Sequence, residues 1–150
     1  MLTLVPKSFC SWDYIAREGV TTIAALGFNY LSEQGRIEFA GTTYEVAKHG
    51  LMSGRWSLRD SARTVAEAHK PNALLRAFEV RIEARRLRLR TESAFAHSYL
   101  LESDAGWSGN IRPAHPLTRR AFIECSPVTP LLAQLFCFWL AALTWRRSAK

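Results

Sequence analysis

The densest run of potential chemistry in this sequence is cationic: Arg76, Arg81, Arg85, Arg86, Arg88 and Arg90 place six guanidinium groups within fifteen residues. A guanidinium is always charged and presents a planar fork of donors that matches phosphate and carboxylate. Arg81, Arg85, Arg86, Arg88 and Arg90 are therefore candidate residues for binding an anion or an anionic lipid head group. Close to an anionic bilayer each Lys or Arg contributes on the order of 1 kcal/mol. Glu79 and Glu83 interrupt the run, and a plain solvated strand face accounts for the same residues. A second cluster comprises Trp145, Arg146, Arg147 and Lys150. Cations there complement a helix C-terminus by about 0.3–1 kcal/mol, and an aromatic beside two arginines also suits a membrane interface. Both readings keep these charges outside the apolar core.

Other chemistries lack their spacing. His49, His69, His97 and His115 are neither i, i+4 nor beside a C-x-x-C, so no metal site is expected. Gly106-Trp107-Ser108-Gly109 lacks the G-x-S-x-G spacing of a nucleophile elbow and reads as a turn. There is no phosphate-binding P-loop and no G-x-G-x-x-G. No cofactor and no enzymatic activity are expected. Cys10, Cys125 and Cys137 lie far apart, which suits unpaired thiols in a reducing compartment. The first ten residues have no apolar run of signal-peptide length, so a cytoplasmic protein, peripheral at a membrane, is the expectation. The 20 Lys+Arg against 13 Asp+Glu give a net charge of +7, which favours anionic partners. Nucleic acid is the weaker choice, because the aromatics fall on inward or helical positions and form no exposed stacking platform.

These residues must be held by a scaffold, and 150 residues with 48% hydrophobic composition suffice for one packed domain, here expected to be monomeric. From Trp12 to Cys125, short period-two segments recur between turn signals about every ten residues, the pattern of an all-β barrel or sandwich. Phe78, Val80 and Ile82 alternate with Glu79, Arg81 and Glu83; Leu87 and Leu89 alternate with Arg86, Arg88 and Arg90. A two-residue turn at Ala84-Arg85 would oppose Ile82 to Leu87, Val80 to Leu89, Glu83 to Arg86 and Glu79 to Arg90. Thr22 to Leu26 fits a strand or half a helical turn.

After Pro127 the character changes. Thr129 reads as an N-cap with Pro130 at the first helical position, and Leu131 to Trp145 passes without charge or Gly. This run has no polar face, so a helix here must be enclosed on all sides. It would be about 22 Å long, against about 30 Å for a bilayer's hydrocarbon core, which favours a core helix over its rival, a tail anchor. Leu135, Phe136, Phe138, Trp139, Leu140 and Leu143 are its expected core residues. A helix is about 10–12 Å across, wider than the lumen of an eight-stranded barrel, so more strands are needed. The fold class predicted is mainly β: a closed antiparallel barrel of about twelve strands around a C-terminal helix at about 130–146, spanning 8–150, with 1–7 as an extension. Trp139→Ala is then expected to cost about 3–5 kcal/mol, and Arg147→Ala less than about 1 kcal/mol.

The order of Gly54-Arg55-Trp56-Ser57-Leu58-Arg59-Asp60, Phe78-x-Val80, Leu87-x-Leu89, Tyr99-x-Leu101, Gly109-x-Ile111-x-Pro113 and a hydrophobic helix closing on Trp145-Arg146-Arg147 resembles the tubby C-terminal, LURP-one-related and phospholipid scramblase group. The resemblance covers about residues 8 to 147 and implies a twelve-stranded barrel around a central helix. It carries no catalytic signature. Scramblase-like relatives bear an acidic calcium-binding segment and a cysteine cluster; here Leu117 to Thr129 holds only Glu124, so calcium-dependent scrambling is not implied. Two functions stand open: a module binding anionic phospholipid or membrane surface, and a scaffold for an unknown protein partner.

Overall fold

The computed structural model describes every residue except Leu51, Ala94, Ala105, Trp107, Pro116 and Lys150. Twelve strands run in order: β1 Leu2–Pro6, β2 Tyr14–Glu18, β3 Thr21–Phe28, β4 Gly35–Phe39, β5 Thr42–Lys48, β6 Arg55–Arg59, β7 Thr64–His69, β8 Ala77–Ile82, β9 Arg85–Thr91, β10 Tyr99–Ser103, β11 Ser108–Pro113 and β12 Ala121–Cys125. Each pairs antiparallel with its sequence neighbours, and β1 pairs with β12 to close the barrel. One helix, α1, spans Leu131–Ser148.

Three expectations need correction. Residues 1–7 are no extension, because β1 is the strand that closes the barrel, with Leu2 and Leu4 buried in the lumen and Thr3 and Val5 turned outward. Without Leu2 and Leu4 the edges of β2 and β12 would lie unpaired, which sheets avoid. The turn between β8 and β9 falls at Glu83-Ala84, opposing Val80 to Leu87, Phe78 to Leu89, Glu79 to Arg88 and Arg81 to Arg86. The shift is two residues, one full pleat period, so every side chain keeps its predicted face; alternation cannot distinguish these registers and the turn decides. Glu83 accepts a φ of +56° there. Third, α1 has Pro130 at its N-cap with no side-chain cap. The hydroxyl of Thr129 lies 3.0 Å from that of Ser126, and the Thr129 carbonyl accepts a bond from Gln134 Nε2 at 3.1 Å. The undecided segment 22–26 is strand.

The helix fills the lumen. From Ala133 to Thr144 every residue is buried, including Leu135, Phe136, Phe138, Trp139, Leu140 and Leu143. Alanines at inward positions of the wall, Ala16, Ala24, Ala66, Ala68 and Ala121, leave room for its larger side chains. Phe138 meets Tyr14 edge-on at 4.9 Å, and Trp139 stacks on Phe28 at 4.6 Å. The few polar side chains on the helix find partners: Trp139 Nε1 donates to the Gly27 carbonyl at 3.0 Å, and Thr144 Oγ1 donates to Ala141 and sits 2.5 Å from the Tyr99 hydroxyl. A helix caged in this way cannot be a tail anchor, and no described helix is long and apolar enough to cross a membrane.

Antiparallel order puts alternate connections at the same end of the barrel. At one end they are long: 7–13, 29–34, 49–54, 70–76, 92–98 and 114–120. At the other they are tight, 19–20, 40–41, 60–63, 83–84 and 104–107. The 40–41 turn has left-handed φ at both residues, Ala40 at +51° and Gly41 at +77°, the geometry that matches the twist of a hairpin. Since α1 follows β12, it enters from the tight end and emerges among the long loops.

Candidate functional site

The sequence-predicted arginine face exists as an outer wall. Arg81, Arg86 and Arg88 line a concavity of about 820 Å³ on the flank of β6 to β9, and Arg55 joins them. Glu67, Glu79, Glu102 and Asp104 line the same concavity, so four cations face four acids. Glu67 stands opposite Arg81, and Glu79 and Glu102 stand opposite Arg88. Arg90 binds Glu102 at 2.8 Å. Arg85 begins β9 opposite Ile82, at the tight end. Of the five predicted arginines the concavity gathers Arg81, Arg86 and Arg88, leaves Arg85 and Arg90 outside its lining, and sets acids against their charge.

The helix-end cluster differs from expectation. Lys150 lies outside the described residues. Arg146 is buried, contrary to the reading that kept it outside the core: it donates to the carbonyls of Tyr30 at 2.9 Å and Ser32 at 3.3 Å, and its guanidinium lies 5.6 Å from the Phe28 ring. The 29–34 loop folds over the barrel mouth and supplies the acceptors that make this burial tolerable. Arg147 holds the Glu33 carboxylate through Nε to Oε2 and through a second bond of 2.6 Å to Oε1. Lys48 Nζ reaches Oε1 at 2.5 Å. Both cations also lie over the Trp56 ring, at 5.4 Å for Lys48 and 5.7 Å for Arg147, while Trp56 Nε1 donates to the Glu33 carbonyl at 3.0 Å. The Arg147 hydrogen bond, seconded by Lys48, holds the Glu33 carboxyl down at about 2 despite partial burial. Arg147 is thus a structural clamp on a loop, not only a complement to the helix dipole. Trp145 donates its Nε1 to the His97 carbonyl at 2.9 Å and fixes a second loop.

Those loops carry the feature that sequence reasoning missed. Each of the six long connections presents an exposed large apolar side chain: Phe9; Tyr30 and Leu31; Met52; Leu74 and Leu75; Phe95; Leu117. Their exposures run from 55% to 96%. Short turn bonds at their feet hold several outward, among them Leu31 N to Asn29 Oδ1, Leu74 N to Asn72 Oδ1 and Leu117 N to His115 Nδ1. The cations collect at the same end. Lys7, Lys70, Arg76, Arg119, Arg120, Arg146 and Arg147 face only Asp13, Glu33 and Glu92 there, with Lys48 at the last position of β5; the tight connections hold Arg63 against Asp60, Glu83 and Asp104. Single apolar residues in separate loops look unremarkable along a sequence. The signal available was the strand count: in a chain of hairpins, alternate loops share an end.

Among the described residues no group of three or more His, Cys, Asp or Glu could hold a metal ion. The fold defines a class, the closed twelve-stranded antiparallel barrel with a helix in its lumen. Protein-family models, curated proteins and solved structures yield no match to the chain, so its residue roles rest on its own geometry.

Proposed function

We propose that the chain is a non-enzymatic module that docks on an anionic membrane surface with its long-loop end. The observation that carries this reading is the coincidence, at one end, of an exposed apolar tip on every long loop with most of the excess positive charge. Soluble surfaces rarely group large apolar side chains in this way unless they bind something. Tips inserted at the head-group boundary gain about 25 cal/mol per Å² of apolar area removed from water, and each flanking cation adds on the order of 1 kcal/mol. Neither contribution needs α1, which serves as the core. The proposal includes kinship with the tubby, LURP-one-related and scramblase group, supported by layout, and a cytoplasmic location at the membrane periphery. It moves the contact from the arginine wall to the loops.

Cosedimentation with phosphatidylglycerol/phosphatidylcholine vesicles tests it. The wild type should sediment at low salt, Tyr30→Ser with Leu31→Ser should remain largely in the supernatant, and Arg86→Glu with Arg88→Glu should behave as wild type. Loss in the wall variant with retention in the loop variant would return the site to the wall. No sedimentation of any form would favour the protein scaffold.

A further inference from the structure

Between the 7–13 and 114–120 loops, beside the emerging end of α1, lies a groove of about 600 Å³, within the roughly 300–1,000 Å³ range of small-ligand sites. Val5, Pro6 and Trp12 form an apolar floor, and Phe9 and Leu117, exposed at 89% and 80%, form its lips. Arg119 and Arg120 stand at the rim, and none of the described residues lining the groove is acidic. Arg119 is placed with care: its guanidinium lies 5.0 Å from the Trp12 ring, and its backbone holds a left-handed φ of +53°. A non-glycine residue in that region is uncommon and costs strain that surrounding structure must sustain. Here the bond from Ala114 N to the Arg120 carbonyl, at 2.7 Å, closes the loop behind it. The Tyr14 hydroxyl is a buried polar atom with no hydrogen-bond partner among the described residues; burial pushes its pKa up, and the Arg119 charge opposes that rise.

An apolar trough with a cationic rim and no opposing acid fits a molecule with one alkyl chain and one anionic head. We infer that this groove binds a long-chain fatty acid, its chain along Trp12 between Phe9 and Leu117 and its carboxylate on Arg119 and Arg120. Guanidinium and carboxylate pair as fork to fork, the geometry that gives such contacts both strength and direction. The source of the ligand rests on the membrane-docking reading, because the lips of the groove are themselves loop tips of the proposed membrane-facing end and a bilayer is where such an acid partitions.

The test is isothermal titration of the full chain with monomeric oleate and, separately, oleyl alcohol. Two variants separate head from tail: Arg119→Gly, which removes the guanidinium while suiting the left-handed backbone, and Leu117→Asp on an exposed lip. Circular dichroism melts check that both remain folded. We expect saturable one-to-one oleate binding that weakens about tenfold or more in Arg119→Gly, oleyl alcohol binding unchanged by that variant, and loss of both ligands in Leu117→Asp. Three results would overturn the inference: no saturable binding by the wild type, equal affinity for acid and alcohol, or oleate binding indifferent to both variants. Concentration-dependent self-association abolished by Leu117→Asp would instead assign the groove to a second copy of the chain. Vesicle docking that survives when oleate binding fails leaves the membrane reading standing, and the converse result removes only that reading.

Discussion

Trp139 is the most exacting test of a helix caged in a barrel. Its side chain is fully buried, stacks on Phe28 with ring planes 11° apart, and donates to the Gly27 carbonyl of β3. Truncating a buried Trp costs about 3–5 kcal/mol, and the cost rises where the surroundings cannot relax into the void. A closed wall with every strand paired on both sides cannot move inward without breaking ladder bonds, so Trp139→Ala belongs at the upper end, about 5 kcal/mol. That is comparable to the whole stability of many domains. Trp139→Phe keeps an aromatic ring but loses the donor and part of the indole volume, so it should cost about 1–3 kcal/mol, less than the alanine variant, through the carbonyl left without that partner and a smaller void. The assay is urea unfolding followed by far-ultraviolet circular dichroism, with Phe95→Ser, 92% exposed, as the reference expected within about 0.5 kcal/mol of wild type. If Trp139→Ala cost no more than Phe95→Ser, the helix would be peripheral and the enclosure argument would fail.

Four further outcomes follow from named contacts. Arg147→Ala should cost about 1–2 kcal/mol in the same assay, above the limit set from the helix dipole alone, because it releases Glu33; screening at this partly exposed site keeps it below a buried pair. The Glu33 carboxyl is depressed from 4.5 to about 2, so its contribution is complete above pH 4.5 and is lost as pH falls toward 2; after allowance for screening, wild type should lose about 1–2 kcal/mol across that window and Glu33→Gln should not. Gly35→Ala should destabilise by more than about 2 kcal/mol in thermal melts, since a Cβ there would strike the Gly27 carbonyl and lie 2.9 Å from Trp139 Nε1. A disulfide reagent should modify one thiol per native chain, the exposed Cys10, and three after denaturation, because Cys137 is buried and burial lifts Cys125 to about 11.

The fold was legible because its two strongest patterns constrain each other. Alternation in 78–91 marked inward and outward faces, and the uncharged run 131–145 demanded an enclosure that only a wide barrel of such strands supplies. Residues 1–7 were missed because Leu2-Thr3-Leu4 shows a single period of alternation before the apolar Val5 and Pro6 end it, too short a run to stand out as period two. The site was harder to read. Arg81, Arg86 and Arg88 do converge on one wall, but of the acids that balance them only Glu79 lies in 76–90; Glu67 comes from β7, Glu102 from β10 and Asp104 from the connection after it, and nothing in 76–90 reveals those neighbours. Arg146 and Arg147 looked like surface charges because their partners, the Tyr30 and Ser32 carbonyls and Glu33, lie over a hundred residues away in a loop whose course depends on the closed barrel.

The seam between β1 and β12 has a kinetic consequence. Leu2 is paired beside Ile123 and Leu4 beside Ala121, so the ladder of greatest sequence separation joins strands from opposite ends of the sheet-forming sequence. The chain entropy of that closure grows only slowly with separation, as about (3/2)RT ln n, but it must be spent before the contacts that reward it exist. Neighbouring hairpins can form early, yet their inward faces have little to pack against until α1 arrives, and a finished barrel offers no opening through which Trp139 and Phe138 could pass. The helix must therefore settle on an open, curved sheet before the seam zips. Folding becomes one late, cooperative event in the millisecond-to-second range of topologies rich in distant contacts, and until it occurs the free edges of β1 and β12 are the segments through which two copies would most readily pair.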